Sequence, residues 1–420
     1  MVELLGMLDS ILNQQTHFCS CGQEHVRKTQ IIDVSSGAFL RLPEYVKSQI
    51  VAGRIGLVFD EAVEHISAPI QTDLMALGFK ISKICFKKGV KVCQENIDMV
   101  ARAPQEIRLF VAIGTGAICD IVKSACAVRD AKFTLALTAP STDNLLFDYT
   151  EMWQNGEKIT LKAVPPCAVF VDLDIVLRAP KALISAGYGC LISKYAALFD
   201  RGILALSAGV GMCEQFECQM RDVLDNLFIQ GGTIEDLTKT ILAVSLLQQM
   251  HGEPNVLQGM EHIFACVLRE WQPQKQQLLL GEHKFIATFT LMQYYSLVIN
   301  YQGVDLLVPA NKSQSASALA KGIGAPLAGT VLALQTKDED IFQKTGYILD
   351  EYRTDFATQA HDVVQLINAT CRTFRRIYDD AGFFLKNYLP SEKILQIMSH
   401  STVLADKYYL LNYCKDSGYL

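Results

Sequence analysis

The chain has 420 residues, more than one hydrophobic core usually organises, so two domains are expected. Hydrophobic residues make up 50% and charged residues 20%, which excludes a disordered or low-complexity protein. A formal net charge of −6 argues against nucleic acid or an anionic membrane as partner, since both reward basic surfaces.

The opening stretch, MVELLGMLDSILNQQ, is amphipathic and carries acids, unlike a secretory signal. The 13 cysteines therefore read as reduced thiols of a soluble, cytoplasmic protein. No run approaches the roughly 18 uninterrupted apolar residues that a membrane span requires. His17, Cys19, Cys21 and His25 in HFCSCGQEH crowd ligand chemistry together. Their spacing fits neither CxxC pairs nor HxxxH, so a thiol-bearing lead-in to the first strand is preferred over a structural zinc clip.

From Arg54 onward, short apolar runs alternate with amphipathic segments. RIGLVFD reads as a buried strand, EHISAPIQTDLMALGF as a helix, KISKICF as a strand and CQENIDMVARA as a helix. LFVAIG, GAICDIVKSACAV and FTLALTAP continue the alternation, and AVFVDLD closes it as one more strand. This is the pattern of a mostly parallel α/β sheet. After Pro180 long amphipathic segments dominate, from KALISAGYGCLISKYAALFDRGIL to SEKILQIMSHSTVLADKYYLLNYC. Residues 1–180 are thus read as an α/β nucleotide-binding domain and 181–420 as an all-helical domain.

Strand LFVAIG runs directly into Gly114-Thr115-Gly116 and then a helix whose first turn ends near Asp120. Glycines here let backbone N–H groups approach a phosphate, and a helix N-terminus favours negative charge. A tight strand-to-helix turn would use the same residues. A second junction, FTLALTAP followed by Ser141, Thr142 and Asp143, puts Thr138 and these polar groups at another strand's C-terminal end, where α/β sheets bind ligands. Asp60, closing LVFD, suits a ribose hydroxyl or, equally, a helix N-cap.

In order, VAIGTGAICDI, LTAPSTD, VFVDLDIVLRAPKALISAGYG and SKYAALFD resemble the sn-glycerol-1-phosphate dehydrogenases of the iron-containing alcohol dehydrogenase and dehydroquinate synthase-like superfamily. SLLQQMHG followed by GMEHI, and the terminal STVLADKYYLLNYCKDSGYL, extend the likeness into the helical half, and CSCGQEH looks like a form found in bacterial members. The resemblance implies a Rossmann-like domain holding NAD or NADP. It also implies hydride exchange between dihydroxyacetone phosphate and sn-glycerol 1-phosphate, or a related polyol phosphate, in phospholipid biosynthesis. A divalent metal (zinc, nickel or iron), held by one Asp and two His, would polarise the reacting oxygen.

Matched residue by residue, that metal set is altered. AGYGC places Cys190, with Lys194 after it, where the family has AGFGD and a lysine. Glu261-His262 keeps the first family histidine, while the last of that run is Cys266, and Leu280 stands in place of the histidine of an HGE-type motif. The family's RPxSG approach is NVLQG here. Two explanations compete: a rebuilt set of Cys190, His262 and Cys266, or loss of the metal, which is preferred because cysteines in helices are usually small buried hydrophobes. His262 and Lys194 remain the candidate catalytic groups, although a lysine on an amphipathic helix often snorkels to the surface. His283 reads as a solvated or core residue, and Arg372, Arg375, Arg376 and Lys386 as a solvated face. A small phosphorylated metabolite is the expected partner, and the helical surface is compatible with a homodimer. The rival functions are an inactive relative that binds a nucleotide or phosphorylated metabolite, and a lyase of the dehydroquinate synthase kind.

Overall fold

The computed structural model describes residues 2–154, 157–209, 211–271, 278–300, 339–373, 391–402, 405 and 409–416. The elements, in chain order, are α1 (Val2–Leu12), β1 (His17–Phe18), β2 (Glu24–His25), β3 (Ile31–Ser35), α2 (Ala38–Gln49), β4 (Arg54–Asp60), α3 (Glu64–Ala76), β5 (Lys80–Phe86), α4 (Gln94–Ala101), β6 (Leu109–Gly114), α5 (Gly116–Arg129) and β7 (Lys132–Leu137). There follow β8 (Tyr149–Gln154), β9 (Glu157–Lys162), β10 (Ala168–Asp172), α6 (Leu173–Val176), α7 (Lys181–Ala208), α8 (Glu214–Phe228), α9 (Ile234–His251), α10 (Met260–Trp271), α11 (Leu280–Asn300), α12 (Glu339–Glu351), α13 (Arg353–Thr373), α14 (Ser391–Ser401) and α15 (Leu410–Asp416).

The main sheet has six strands in the order β3-β10-β7-β6-β4-β5, every pair parallel. The sequence explains this arrangement. RIGLVFD and LFVAIG are nearly continuous apolar runs, as strands covered on both faces must be. Ile55, Leu57 and Phe59 with Leu109, Val111 and Ile113 form one of those faces and pack against Phe39, Leu42, Ile70 and Leu74 of α2 and α3. Two features went unread in the sequence. Edge strand β3 pairs Ile31–Ser35 with Ala168–Asp172, and β8 and β9 form an antiparallel hairpin in register from Tyr149↔Lys162 to Gln154↔Glu157.

The chain divides into two compact units: Met1–Gly187 with Glu214–Val256, and Tyr188–Cys213 with Leu257–Leu420. The first unit contains the sheet and reclaims α8 and α9, which pack with α1. Gln249 of α9 is the main polar tie. Its Oε1 accepts the N–H groups of Lys28 (2.8 Å) and Thr29 (3.1 Å), and its amide donates to Thr29 Oγ1 (3.0 Å) and the Leu146 carbonyl (2.7 Å). The second unit is helical in its described residues, with α10 against α11 and α11 against α13. Stacked Phe199 and Tyr295 (5.8 Å) and edge-on Phe356 (5.7 Å) lie at its centre. Helix α7 is long and apolar enough to cross a membrane, but 89% of its most apolar window is buried within the protein, as in a core helix.

Candidate functional site

The first candidate region lies at the C-terminal edge of the sheet. Register pairs Gly114 with Leu137, and the Thr138 N–H donates to the Gly114 carbonyl (3.0 Å), so the ends of β6 and β7 continue side by side into their loops. Gly114 has φ +153°, a backbone setting that side chains resist. A Cβ on Gly116 would come within 2.7 Å of Thr142 Cγ2, so the two loops touch where the backbone of α5 begins. Thr115 is the extended N-cap of α5, and its side chain caps nothing. Gly114, Thr115, Gly116 and Thr138 therefore lie beside the loop that carries Ser141, Thr142 and Asp143, next to a helix N-terminus without a side-chain cap, chemistry that suits an anionic phosphate.

The other two nucleotide candidates are engaged within the fold. Asp60 closes neighbouring β4, and its carboxylate accepts the Ala62 N–H (3.0 Å) as an N-cap, while burial raises its pKa. Asp120 is buried in an ion pair with Lys123 (2.7 Å) and accepts the Asn144 amide (3.3–3.4 Å). Lys123 donates onward to the Asn144 carbonyl (3.0 Å), and Thr142 donates to Asn144 Oδ1 (2.8 Å). Asp120 thus holds the 142–144 loop in position against α5. Desolvation raises its pKa, against the opposing effect of Lys123.

The second region is a buried polar cluster in the helical unit. Lys194 of α7 does not snorkel: it is 1% exposed and donates to the Leu257 carbonyl (3.0 Å). Glu261, at the start of α10, is fully buried; burial raises its pKa, and Lys194, His262 and Lys284 pull it back. Asp200 accepts the Met260 N–H (3.0 Å). Burial pushes its pKa up to about 8, with the Glu261 charge adding to the rise. Gly259 leaves room for both acids, since a Cβ there would meet Glu261 Oε2 at 2.6 Å and Asp200 Oδ2 at 2.9 Å. His283 belongs to the core: its Nδ1 bonds the Leu279 carbonyl (3.0 Å), and burial lowers its pKa to about 4, so its imidazole is neutral at physiological pH.

Of the three altered metal positions, His262 and Cys266 meet one turn apart on α10 (Nε2 to Sγ 3.8 Å), as expected for i and i+4. Cys190 is buried on α7, and its Sγ does not join them in a convergent donor group among the described residues. Leu280, first residue of α11, has no donor atom to offer. A catalytic metal of the expected kind needs about three protein ligands and an open position. These residues do not fit one. Arg375, Arg376, Lys386 and the middle of the terminal motif lie outside the described residues.

With this geometry in place, residues 33–180 match the iron-containing alcohol dehydrogenase family. Over that segment, about a third of its length, the chain is similar to the iron-containing alcohol dehydrogenases. It is 24% identical to the glycerol-1-phosphate dehydrogenase [NAD(P)+] of Bacillus licheniformis over 300 residues, 67% of this chain and 74% of the relative. It is 34% identical to that of Bacillus subtilis over 233 residues, 53% and 59% of the two chains. The glycerol dehydrogenase of Schizosaccharomyces pombe shares the fold with a TM-score of 0.52 at 16% identity, over 82% of this chain and 91% of that one. A Red Sea brine pool alcohol dehydrogenase shares it with a TM-score of 0.55 at 12% identity, over 93% and 94%. The α/β sheet followed by a helical region is the fold these proteins share.

Some functional candidates were missed in the sequence. Asn144 and the Asp120–Lys123 pair leave no local motif, because their meaning depends on a loop folding back onto a helix. Asp200 and Lys284 did leave a signal: charges embedded in otherwise apolar helices, which are almost never fully buried unless paired.

Proposed function

We propose that this protein is an NAD(P)-linked oxidoreductase that interconverts a small phosphorylated ketone and alcohol, of the dihydroxyacetone phosphate and sn-glycerol 1-phosphate type. The observation that carries the reading is the paired loop at the sheet edge, where Gly114-Thr115-Gly116 and Thr138–Asp143 converge on the N-terminus of α5. That backbone fits a dinucleotide pyrophosphate, and the relatives named above are dehydrogenases that use NAD(P)+.

The nicotinamide, when bound, supplies the hydride. This chain's own residues must then stabilise charge at the reacting oxygen without a three-ligand metal. Lys194, Lys284 and His262 are the groups for this: all are buried beside Glu261, where low dielectric makes a positive charge more effective than in water. His262 is the candidate proton-transfer group.

The test is direct. The purified protein should oxidise NADH or NADPH in the presence of dihydroxyacetone phosphate without added metal, and His262→Ala should lower kcat by about a hundredfold or more. Nucleotide binding without turnover would replace this reading with that of a nucleotide-binding relative. Absence of nucleotide binding would remove both.

A further inference from the structure

A second, unrelated constellation lies far along the chain from the dehydrogenase motifs. Strands β1 and β2 are two residues each and pair His17↔His25 and Phe18↔Glu24, which folds Cys19 to Gln23 into a tight turn. The Cys19 N–H donates to the Gln23 carbonyl (2.9 Å), Gly22 N–H returns to the Cys19 carbonyl (3.0 Å), and Gly22 takes φ +86° to allow it. A hairpin this short has too little pairing to hold itself together. Something else must fix it.

The turn presents donors inward. Cys19 Sγ, Cys21 Sγ and a ring nitrogen of His25 lie within 4.8 Å of one another. Cys21 Sγ is 3.6 Å from His25 Nε2. A tetrahedral zinc with bonds of about 2.3 Å to sulfur and about 2.0 Å to nitrogen has an S···N edge of roughly 3.6 Å. The ring is also set as a ligand. His25 Nδ1 faces the Met250 carbonyl (3.0 Å), which fixes the proton on Nδ1 and leaves the Nε2 lone pair directed at the cysteines. The Cys21 N–H points at Cys19 Sγ (3.5 Å), which holds the turn around the sulfur. Cys19 and His25 are both buried, and Gln215 lies 3.2 Å from Cys19 Sγ. Two residues before Gln215 in the chain is Cys213.

We propose that Cys19, Cys21 and His25, with Cys213 as fourth donor, form a structural zinc site. Three thiolates and one imidazole make the closed, soft set that selects zinc and leaves no position for substrate. The spacing CxC with a histidine four residues later obscured it in the sequence, because the fourth donor is almost two hundred residues distant. The ion would clamp the hairpin to the segment entering α8 and to the end of α9.

The full-length protein, purified without added metal, should contain one zinc per chain by elemental analysis. Cys19→Ser and His25→Ala should each remove it, Cys213→Ser should release it to a weak chelator that leaves the wild type loaded, and Cys85→Ser should change nothing. His262→Ala should also retain the zinc, which separates this site from any metal in the helical unit. Because the variants could misfold, cobalt substitution of the unaltered protein gives an independent reading: thiolate-to-cobalt charge transfer with the intense visible bands of a tetrahedral ion. Absence of zinc together with cobalt spectra lacking thiolate bands would overturn the site. Zinc lost from His262→Ala but kept in Cys19→Ser would do the same, and a Cys213→Ser protein that holds zinc as the wild type does would overturn the fourth ligand.

Discussion

Gly116 illustrates how little chemistry a binding residue needs. Its contribution is the absence of a side chain: a Cβ would sit 2.7 Å from Thr142 Cγ2 and push the two loops apart. Gly116→Ala is expected to weaken NAD(P) binding by about tenfold or more, equivalent to about 1.4 kcal/mol, as measured by calorimetric titration. Asp200 makes a different kind of demand. Its folded pKa of about 8 lies above the ordinary 3.8, so the folded state keeps a proton that the unfolded state gives up. Stability contributed by this group is therefore complete below about pH 4 and declines as pH rises toward 8. Asp200→Asn, which mimics the protonated acid, should flatten that part of a Tm against pH profile; an unchanged slope would show that Asp200 titrates normally. The two residues differ in how far the sequence reveals them. Gly116 was recognisable through the strand and helix on either side of it, but Asp200 sits in SKYAALFD, and nothing local says that its carboxyl lies beside Glu261.

Of the three glycines in helix α7, Gly189 and Gly202 have opposite roles. A Cβ on Gly189 would fall 1.9 Å from the Gly281 carbonyl of α11, whereas Gly202 has nothing within 4 Å. Gly189→Ala should therefore cost several kcal/mol by forcing two packed helices apart, while Gly202→Ala should stabilise by about 0.5–1 kcal/mol through helix propensity alone. Denaturant unfolding of both variants checks the pair, and equal effects would contradict the close approach. The strands were the most legible elements: RIGLVFD, KISKICF and LFVAIG appear as β4, β5 and β6 with those bounds. Continuous apolar runs have few alternatives to a strand covered on both faces. The hairpin β8–β9 was passed over although Asn155-Gly156 stands between two alternating runs, a turn signal masked by the helix-strand rhythm around it. Strand β3 was missed because IIDVS is short and half exposed at a sheet edge.

For the protein as a unit, cofactor binding and stability are linked. If NAD(P) binds the folded chain alone, a concentration one hundred times Kd should add about 2.7 kcal/mol of stability, seen as a rise in Tm that Gly116→Ala reduces. Adenosine diphosphate, which carries the pyrophosphate without nicotinamide, should reproduce part of that rise. A Tm indifferent to both would count against the nucleotide site.

The first unit has a further consequence for how the chain acquires its structure. Its sheet is finished at Asp172, but the unit itself closes only with Glu214–Val256, after the chain has departed at Gly187 and returned. During synthesis, therefore, the nascent sheet must wait for α9 to leave the ribosome before Thr29 and Leu146 meet Gln249. A fragment stopping near residue 180 would contain all six strands of the main sheet and still expose the surface of α1 that α9 covers. Such a fragment should bind chaperones or aggregate, whereas one ending beyond Val256 would include every segment of that unit.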